Sequence, residues 1–172
     1  MPTEVFVGLG SNIDPERHLA EALEAVRDGL TLVATSPVYR CAAVGFTGDD
    51  FLNMVIRLQC TLDPAALGDV LAEIERSGGR QRAVSSTGRE ANVAAAGPRT
   101  LDMDLLLYGS VVDPQLGLPR SDVLRYAFVL RPLAELAPGL VHPVTGRTML
   151  AEWEAVAEQS PPMHAQHLLM SG

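Results

Sequence analysis

The fold is decided by the stretch VFVGLGSNIDP, residues 5–15. Its first six residues are β-branched, aromatic or aliphatic and are interrupted by glycine, which is typical of a short buried strand. Asp14 and Pro15 are residue types favoured where a helix begins, and apolar residues then recur at helical spacing up to Gly29. The sequence therefore predicts a strand followed at once by a helix over 14–29.

The same unit recurs further along the chain. Strand-like segments at 31–39 and 52–60 are followed by Asp63, Pro64, an apolar helical face and a Gly78-Gly79 stop, after which residues 101–108 return to strand character. This order predicts an α+β ferredoxin-like sandwich with split βαβ repeats: helices cover one face of a four-stranded antiparallel sheet and leave the other face for a site. Segments 126–136 and 148–157 add C-terminal helices. We expect one domain over 1–158 and a flexible tail over 159–172.

Length and composition favour a compact protein outside the membrane. A chain of 172 residues that is 47% hydrophobic can bury one sizeable core. Its apolar runs fall short of the roughly 20 residues of a membrane span, and its first residues lack the layout of a secretory signal. We therefore expect a cytoplasmic location. Cys41 and Cys60 show no metal-ligand spacing and are given no role.

The charge pattern favours small anionic ligands over macromolecules. A net charge of −8 argues against a general binder of nucleic acid or anionic membranes. All 13 basic residues are arginine, which fits a bias in genomic base composition, but seven of them lie between residues 76 and 125. Such clustering indicates a focused polyanion site, because the guanidinium group matches phosphate oxygens bidentately. Monomer and dimer are both left open.

The segment GPRTLDMDL, residues 97–105, carries the clearest chemistry. On a strand, Leu101, Met103 and Leu105 would point into the core while Asp102 and Asp104 share the opposite face. Two close carboxylates favour a cation between them, and magnesium is typically held by one or two carboxylates together with substrate phosphates. Taken alone, an isolated pair of this kind is more often a solvent-facing strand edge.

Six short motifs, in a fixed order, together resemble a known family. They are VGLGSN (7–12), SPVY (36–39), FLN (51–53), IE followed by GRQR (74–75 and 79–82), GPRTLDMD (97–104), and FVL before PLAELAP (128–130 and 132–138). The likeness covers roughly residues 5–143. The chain resembles the 6-hydroxymethyl-7,8-dihydropterin pyrophosphokinases of folate biosynthesis, as a divergent member.

The resemblance implies a reaction and a set of site residues. The hydroxymethyl oxygen of the pterin would attack the β-phosphorus of ATP and release AMP, with Asp102 and Asp104 holding two magnesium ions. The implied catalytic residues are Arg80, Arg82, Arg99, Asp102 and Asp104. The implied pterin-binding residues are Ala43, Val44, Phe51, Asn53 and Phe128. The implied ATP-binding residues are Glu75, Arg99, Leu105, Arg120 and Arg125. Without the resemblance, the two phenylalanines are more often core residues and Glu75 is more often solvated.

Several positions depart from the family pattern. Arg120 stands where the family usually has His, Tyr126 where it has Arg, and Ala96 where it has Trp; Cys41-Ala42-Ala43 replaces Thr-Pro-Pro. These changes motivate an alternative function, namely a catalytically impaired or altered-substrate homologue that binds pterin or nucleotide without efficient turnover. A ferredoxin-like interaction domain without a ligand is a third possibility, but it leaves the arginine cluster unexplained.

Overall fold

A computed structural model describes residues 1–43, 48–86 and 101–168, with the backbone alone for 79–86. Its strands are β1 (Thr3–Ser11), β2 (Thr31–Thr35), β3 (Val38–Cys41), β4 (Phe51–Cys60), β5 (Asp102–Tyr108) and β6 (His164–Gln166). Its helices are α1 (Pro15–Gly29), α2 (Pro64–Ser86), α3 (Asp122–Arg125), α4 (Ala127–Leu136) and α5 (Met149–Val156), followed by a 3₁₀ turn at Ala157–Gln159.

The strands form one antiparallel sheet in the order β5-β1-β4-β3-β6, with β2 also paired to β4. The central order, with β1 and β4 flanked by β5 on one side and by β2 and β3 on the other, confirms the predicted ferredoxin-like sandwich. The short strand β6 lies inside segment 159–172, which was expected to be a loose tail, and it pairs with β3 from Val38 to Arg40.

The predicted strand over 31–39 is wrong in one respect, because it is two strands broken at Ser36-Pro37. Proline has no N–H to donate to the ladder. Ser36 replaces the regular ladder with two contacts to Val55: its N–H donates to the Val55 carbonyl (2.8 Å), and its Oγ accepts from the Val55 N–H (2.9 Å). The break lets one edge of β4 pair first with β2 and then with β3.

Both predicted helix starts are found, but only one is capped by its aspartate side chain. Asp63 Oδ1 accepts from the Ala66 N–H at 2.8 Å at the start of α2. Asp14 precedes α1 in a left-handed conformation (φ 47°), makes no side-chain cap and pairs instead with Arg17 at 3.2 Å. The predicted helix stop at Gly78-Gly79 is wrong, since α2 continues to Ser86. Glycine lowers helix propensity by only about 1 kcal/mol, so it does not by itself end a helix.

Helices cover both faces of the sheet, which corrects the expectation of a free face. One core packs α1 and α2, the latter through residues such as Leu67, on Val5 and Val7 of β1. The second core packs α3, α4 and α5 on the opposite face, around Phe6 and Val55. Helices α4 and α5 were predicted and the short α3 was not. Their docking surface was not predicted either, because helical periodicity identifies an apolar stripe without identifying the surface that it covers. None of the helices in the described ranges is long and apolar enough to cross a membrane.

Candidate active site

The acidic pair lies on the sheet face that the C-terminal helices partly cover. Leu101 and Met103 are buried in the first core, Leu105 packs against it, and Asp102 and Asp104 are half-buried on the opposite side of the strand. A register shift at β5, between the pairs Val7 with Leu105 and Phe6 with Leu107, ends this alternation. Leu106 and Leu107 consequently both join the second core.

Two glycines of β1 lie beside the acidic pair, and the Leu106 side chain covers one of them, Gly8. Gly10 pairs with Asp102 on one side and with Asn53 on the other, and Gly8 pairs likewise with Asp104 and Val55. The Cα atoms of Asp102 and Asn53 are therefore two inter-strand spacings apart, about 10 Å. A Cβ on Gly10 would lie only 2.9 Å from Asn53 Oδ1, so the amide leans over this glycine. We call the strip of β1 backbone between Asp102 and Asn53 the trough.

Arg120 lies beside the acidic pair and is held from three directions. Its backbone N–H donates to the Leu106 carbonyl (2.9 Å), its Nε donates to Asp122 Oδ2 (3.0 Å), and its Nη2 lies 3.6 Å from Asp104 Oδ1. Burial alone would lower the pKa of the guanidinium, but the carboxylates of Asp104, Asp122 and Asp102 outweigh burial and raise it. The group is a permanent cation at the rim of the trough.

Glu75 reaches β5 from α2. Its Oε1 accepts from the backbone N–H of Met103 at 2.6 Å, so a carboxylate binds the strand between the two aspartates. Sequence reasoning expected Glu75 near the nucleotide as a ligand. In the structure this side chain fixes the strand that presents Asp102 and Asp104.

Phe51 and Phe128, the two aromatic residues expected to contact the pterin, lie on different elements. Phe51 begins β4, pairs with Cys41 and lies two residues before Asn53. Phe128 lies in the first turn of α4 and stacks on Tyr126, with ring centroids 4.9 Å apart and planes 20° apart. The Arg125 guanidinium lies 5.2 Å from the centre of the Tyr126 ring. Arg125 and Tyr126 thus form one layered group with Phe128.

Asn53 is flanked by a polar cluster that sequence reasoning missed. Tyr39 pairs with Asn53 across the sheet, its hydroxyl donates to Glu135 Oε1, and Arg131 lies 4.6 Å over its ring. Burial, followed by the hydrogen bond and charge of Glu135, raises the pKa of Tyr39 to about 12. Burial also raises the pKa of the Cys41 thiol, against a side-chain hydrogen bond with Asn53.

Some predicted residues lie outside the described part of the chain. The side chains of Arg80 and Arg82, and all of Val44 and Arg99, fall there. Ala43 is half-buried and is the last residue described before the first gap. The structure thus brings Asp102, Asp104, Arg120 and Asn53 to one trough, with Glu75 behind β5.

A family model described as 7,8-dihydro-6-hydroxymethylpterin-pyrophosphokinase (HPPK) matches residues 6–138. The chain belongs to this family. It is similar to HPPK proteins named 2-amino-4-hydroxy-6-hydroxymethyldihydropteridine pyrophosphokinase. One, from Methylorubrum extorquens, is 39% identical over 92% of this chain and 95% of the relative. Another, from Pseudomonas aeruginosa, is 39% identical over 81% of this chain and 84% of the relative.

The fold of this HPPK family member is also that of larger proteins. A solved Plasmodium falciparum HPPK-DHPS structure matches 92% of this chain with a TM-score of 0.74 and 11% identity, a likeness that shows the fold alone. The chain spans about half of that protein's length, since the match covers 46% of it.

The donor set fits a magnesium site completed by substrate. Among the described residues, no group of three or more His, Cys, Asp or Glu side chains is arranged to hold a metal. An all-protein metal cage is therefore not built there. Two carboxylates on one strand face, open to a trough, match the way magnesium binds through one or two carboxylates plus substrate phosphates and water. The residues present fit magnesium bound together with a phosphate ligand.

The glycine pair of β1 and Asp122 differ in how strongly the sequence indicates that they belong near the trough. Gly8 and Gly10 alternate on a strand, which indicates a face without side chains that another group can approach closely. Asp122 carries no comparable signal, because its contact with Arg120 depends on how the chain turns before α3. Only the structure shows that contact.

Proposed function

We propose that this chain transfers the pyrophosphoryl group of ATP to the hydroxymethyl group of 6-hydroxymethyl-7,8-dihydropterin and releases AMP. Membership in the HPPK family supports the reaction class, an ATP-dependent diphosphotransfer in folate biosynthesis. The single observation that carries the assignment to a site is the trough, in which Asp102, Asp104 and Asn53 share one sheet face across the glycines of β1.

In this proposal the two ends of the trough have different ligands. Asp102 and Asp104 would hold two magnesium ions, which when bound neutralise the phosphate oxygens of ATP. Arg80, Arg82, Arg99, Arg120 and Arg125 are proposed to contact or cover the triphosphate, and Leu105 and Glu75 to border the nucleotide. At the other end, Asn53 would hydrogen-bond the pterin edge and Phe51 and Phe128 would contact its faces, with Ala43 and Val44 supplying backbone groups.

The proposed chemistry needs positioning more than a strong base. The hydroxymethyl oxygen forms a bond to the β-phosphorus, the bond from that phosphorus to the oxygen shared with the α-phosphate breaks, and AMP leaves with that oxygen. The hydroxyl proton is released in the same reaction. Phosphoryl transfer depends mainly on alignment and on stabilising the charge of the transferred group, and fixed carboxylates, arginines and an amide provide this.

An assay of AMP formation tests the proposal. Purified protein with magnesium, ATP and the hydroxymethyl-dihydropterin should form AMP and pyrophosphorylated pterin in equal amounts. Asp102→Ala and Asp104→Ala should each lower kcat by two orders of magnitude or more, as is typical when transition-state charge loses a stabilising group. Binding of both substrates without turnover by the unaltered chain would instead support the impaired homologue motivated by Tyr126 and Ala96.

The reaction is proposed to take place in the cytoplasm with small molecules alone as partners. The net charge of −8 supports the exclusion of nucleic acid.

Asn53→Ala provides a second test of the ligand assignment. It should raise KM for the pterin while leaving KM for ATP nearly unchanged, because the amide lies at the end of the trough away from the carboxylates.

A further inference from the structure

Arg120 and Asp104 form a contact at the place where a metal ion would bind. Arg120 Nη2 lies 3.6 Å from Asp104 Oδ1, with the two side chains 41% and 39% exposed. Two hydrogen bonds hold the orientation of the Arg120 side chain. Its Nε donates to Asp122 Oδ2 at 3.0 Å, and its backbone N–H donates to the Leu106 carbonyl at 2.9 Å. The terminal nitrogens therefore sit at the rim, while the rest of the side chain is anchored.

The charge of this guanidinium cannot be removed at any ordinary pH. A divalent cation approaching Asp104 would meet a like charge already placed beside the same carboxylate oxygen. The repulsion is relieved only if another anion takes over the terminal nitrogens. A triphosphate meets this need, because guanidinium groups bind phosphate oxygens as readily as carboxylates. Asp122 can keep its bond to Nε during such an exchange.

We propose that Arg120, positioned by Asp122, is a resident counter-ion of Asp104 that weakens magnesium binding in the absence of nucleotide and strengthens it in the presence of nucleotide. The proposal rests on the proposed metal site and adds to it a coupling between the metal and ATP. Arg120 is the group that exchanges partners. Asp122 is a positioning residue, which acts on the metal only through Arg120.

Binding measurements with manganese as the probe separate the two effects. Manganese affinity is measured by electron paramagnetic resonance, first alone and then with an ATP analogue whose α- and β-phosphorus atoms are bridged by methylene, which cannot release AMP. In Arg120→Gln, manganese alone should bind about three- to tenfold more tightly and manganese with the analogue about three- to tenfold more weakly, as expected for one half-exposed ion pair. The proposal is overturned if the dissociation constants for manganese alone and for manganese with the analogue move in the same direction, or if neither moves.

A matched control removes the effect of net charge. Arg27 is exposed on α1, which packs on the other face of the sheet. Arg27→Gln changes the net charge by the same amount as Arg120→Gln and should leave both constants unchanged. Equal shifts in the two variants would mean that total charge alone sets the affinity, and would overturn the assignment to Arg120.

A double-mutant cycle tests the role of Asp122. Asp122→Asn should weaken binding of manganese with the analogue in the unaltered chain but have no further effect in the Arg120→Gln background, because Asp122 acts only through that arginine. Additive effects would overturn the positioning role.

Asp104→Ala distinguishes this proposal from the proposed function: if Asp104→Ala leaves binding of manganese with the analogue intact, the metal site itself is wrong. If it abolishes binding while Arg120→Gln changes nothing, only the coupling is wrong.

Discussion

Gly10 makes the closest approach in the trough. A methyl group at this position would lie 2.9 Å from Asn53 Oδ1, closer than such atoms can stay, so the amide would have to turn away. We predict that Gly10→Ala raises KM for the pterin by about tenfold, the effect of one misplaced ligand hydrogen bond, with a much smaller change in KM for ATP. Steady-state kinetics with each substrate varied in turn measures the split.

Gly68 provides the matched control for Gly10. It lies in α2, and a Cβ there would meet nothing within 4 Å. Gly68→Ala should leave both KM values unchanged and slightly stabilise the protein, since alanine favours helix. Equal effects of the two substitutions on the pterin would show that Asn53 does not depend on the bare glycine.

At the residue level, what the sequence predicts is set by periodicity. The two-residue repeat placed Asp102 and Asp104 on one strand face and Met103 on the other, and the structure confirms that arrangement. The contacts of Arg120 with Asp122 and of Glu75 with the Met103 N–H could not be predicted in this way. They join segments whose relative placement depends on tertiary packing and on no repeat in the chain.

Among the elements, α2 fixes β5 through Glu75. Removing this carboxylate leaves the Met103 N–H without its acceptor, and a partly buried unpaired donor costs about 1–3 kcal/mol. We predict that Glu75→Ala lowers the free energy of unfolding by about that amount and also lowers kcat, because the strand carrying both aspartates is less well held. Urea unfolding and the AMP assay measure the two effects.

Glu73 is the natural comparison on the same helix. It pairs with Arg76 at 2.8 Å, with both side chains more than half exposed (57% and 56%). Exposed pairs of this kind contribute about 0–1 kcal/mol, so Glu73→Ala should change stability little and activity not at all. If Glu73→Ala and Glu75→Ala were equally destabilising, the hydrogen bond to β5 would not be the cause.

Element boundaries were harder to predict than element types. Each long helix and strand was expected near its place, because apolar spacing over ten or more residues is a strong signal. The break at Ser36-Pro37 and the continuation of α2 through Gly78-Gly79 were missed, since proline and glycine each have several structural uses and packing decides among them. The docking of α3, α4 and α5 on the site face depended on the same long-range packing.

For the molecule as a whole, the burial of His142 makes the free energy of unfolding depend on pH. The residue is 3% exposed, and its Nδ1 accepts from the N–H groups of Val144 (3.2 Å) and Thr145 (3.3 Å). Burial lowers the pKa of His142 below 6.5, against the opposing charge of Glu152. Below that pH the unfolded chain binds more protons than the native one, so stability should fall as the pH drops below about 6.5, by at most about 1.4 kcal/mol per pH unit.

Thermal or urea unfolding between pH 5 and 8 measures this dependence. His142→Gln should flatten the acid side of the stability curve relative to the unaltered protein. His164→Gln, at an exposed position, should leave the shape of the curve unchanged. A His142→Gln curve parallel to that of the unaltered protein would contradict the assignment of the acid sensitivity to this ring.

In the proposed complex, one sheet face holds a metal-bound triphosphate and a pterin side by side across the glycines of β1. A crystal structure with magnesium, the α,β-methylene analogue of ATP and the hydroxymethyl-dihydropterin tests it most directly. We expect metal ions bound to Asp102 and Asp104, the pterin edge hydrogen-bonded to Asn53, and the hydroxymethyl oxygen facing the β-phosphorus above Gly10. Ligands bound elsewhere on the sheet, or metal ions with neither aspartate among their ligands, would contradict it.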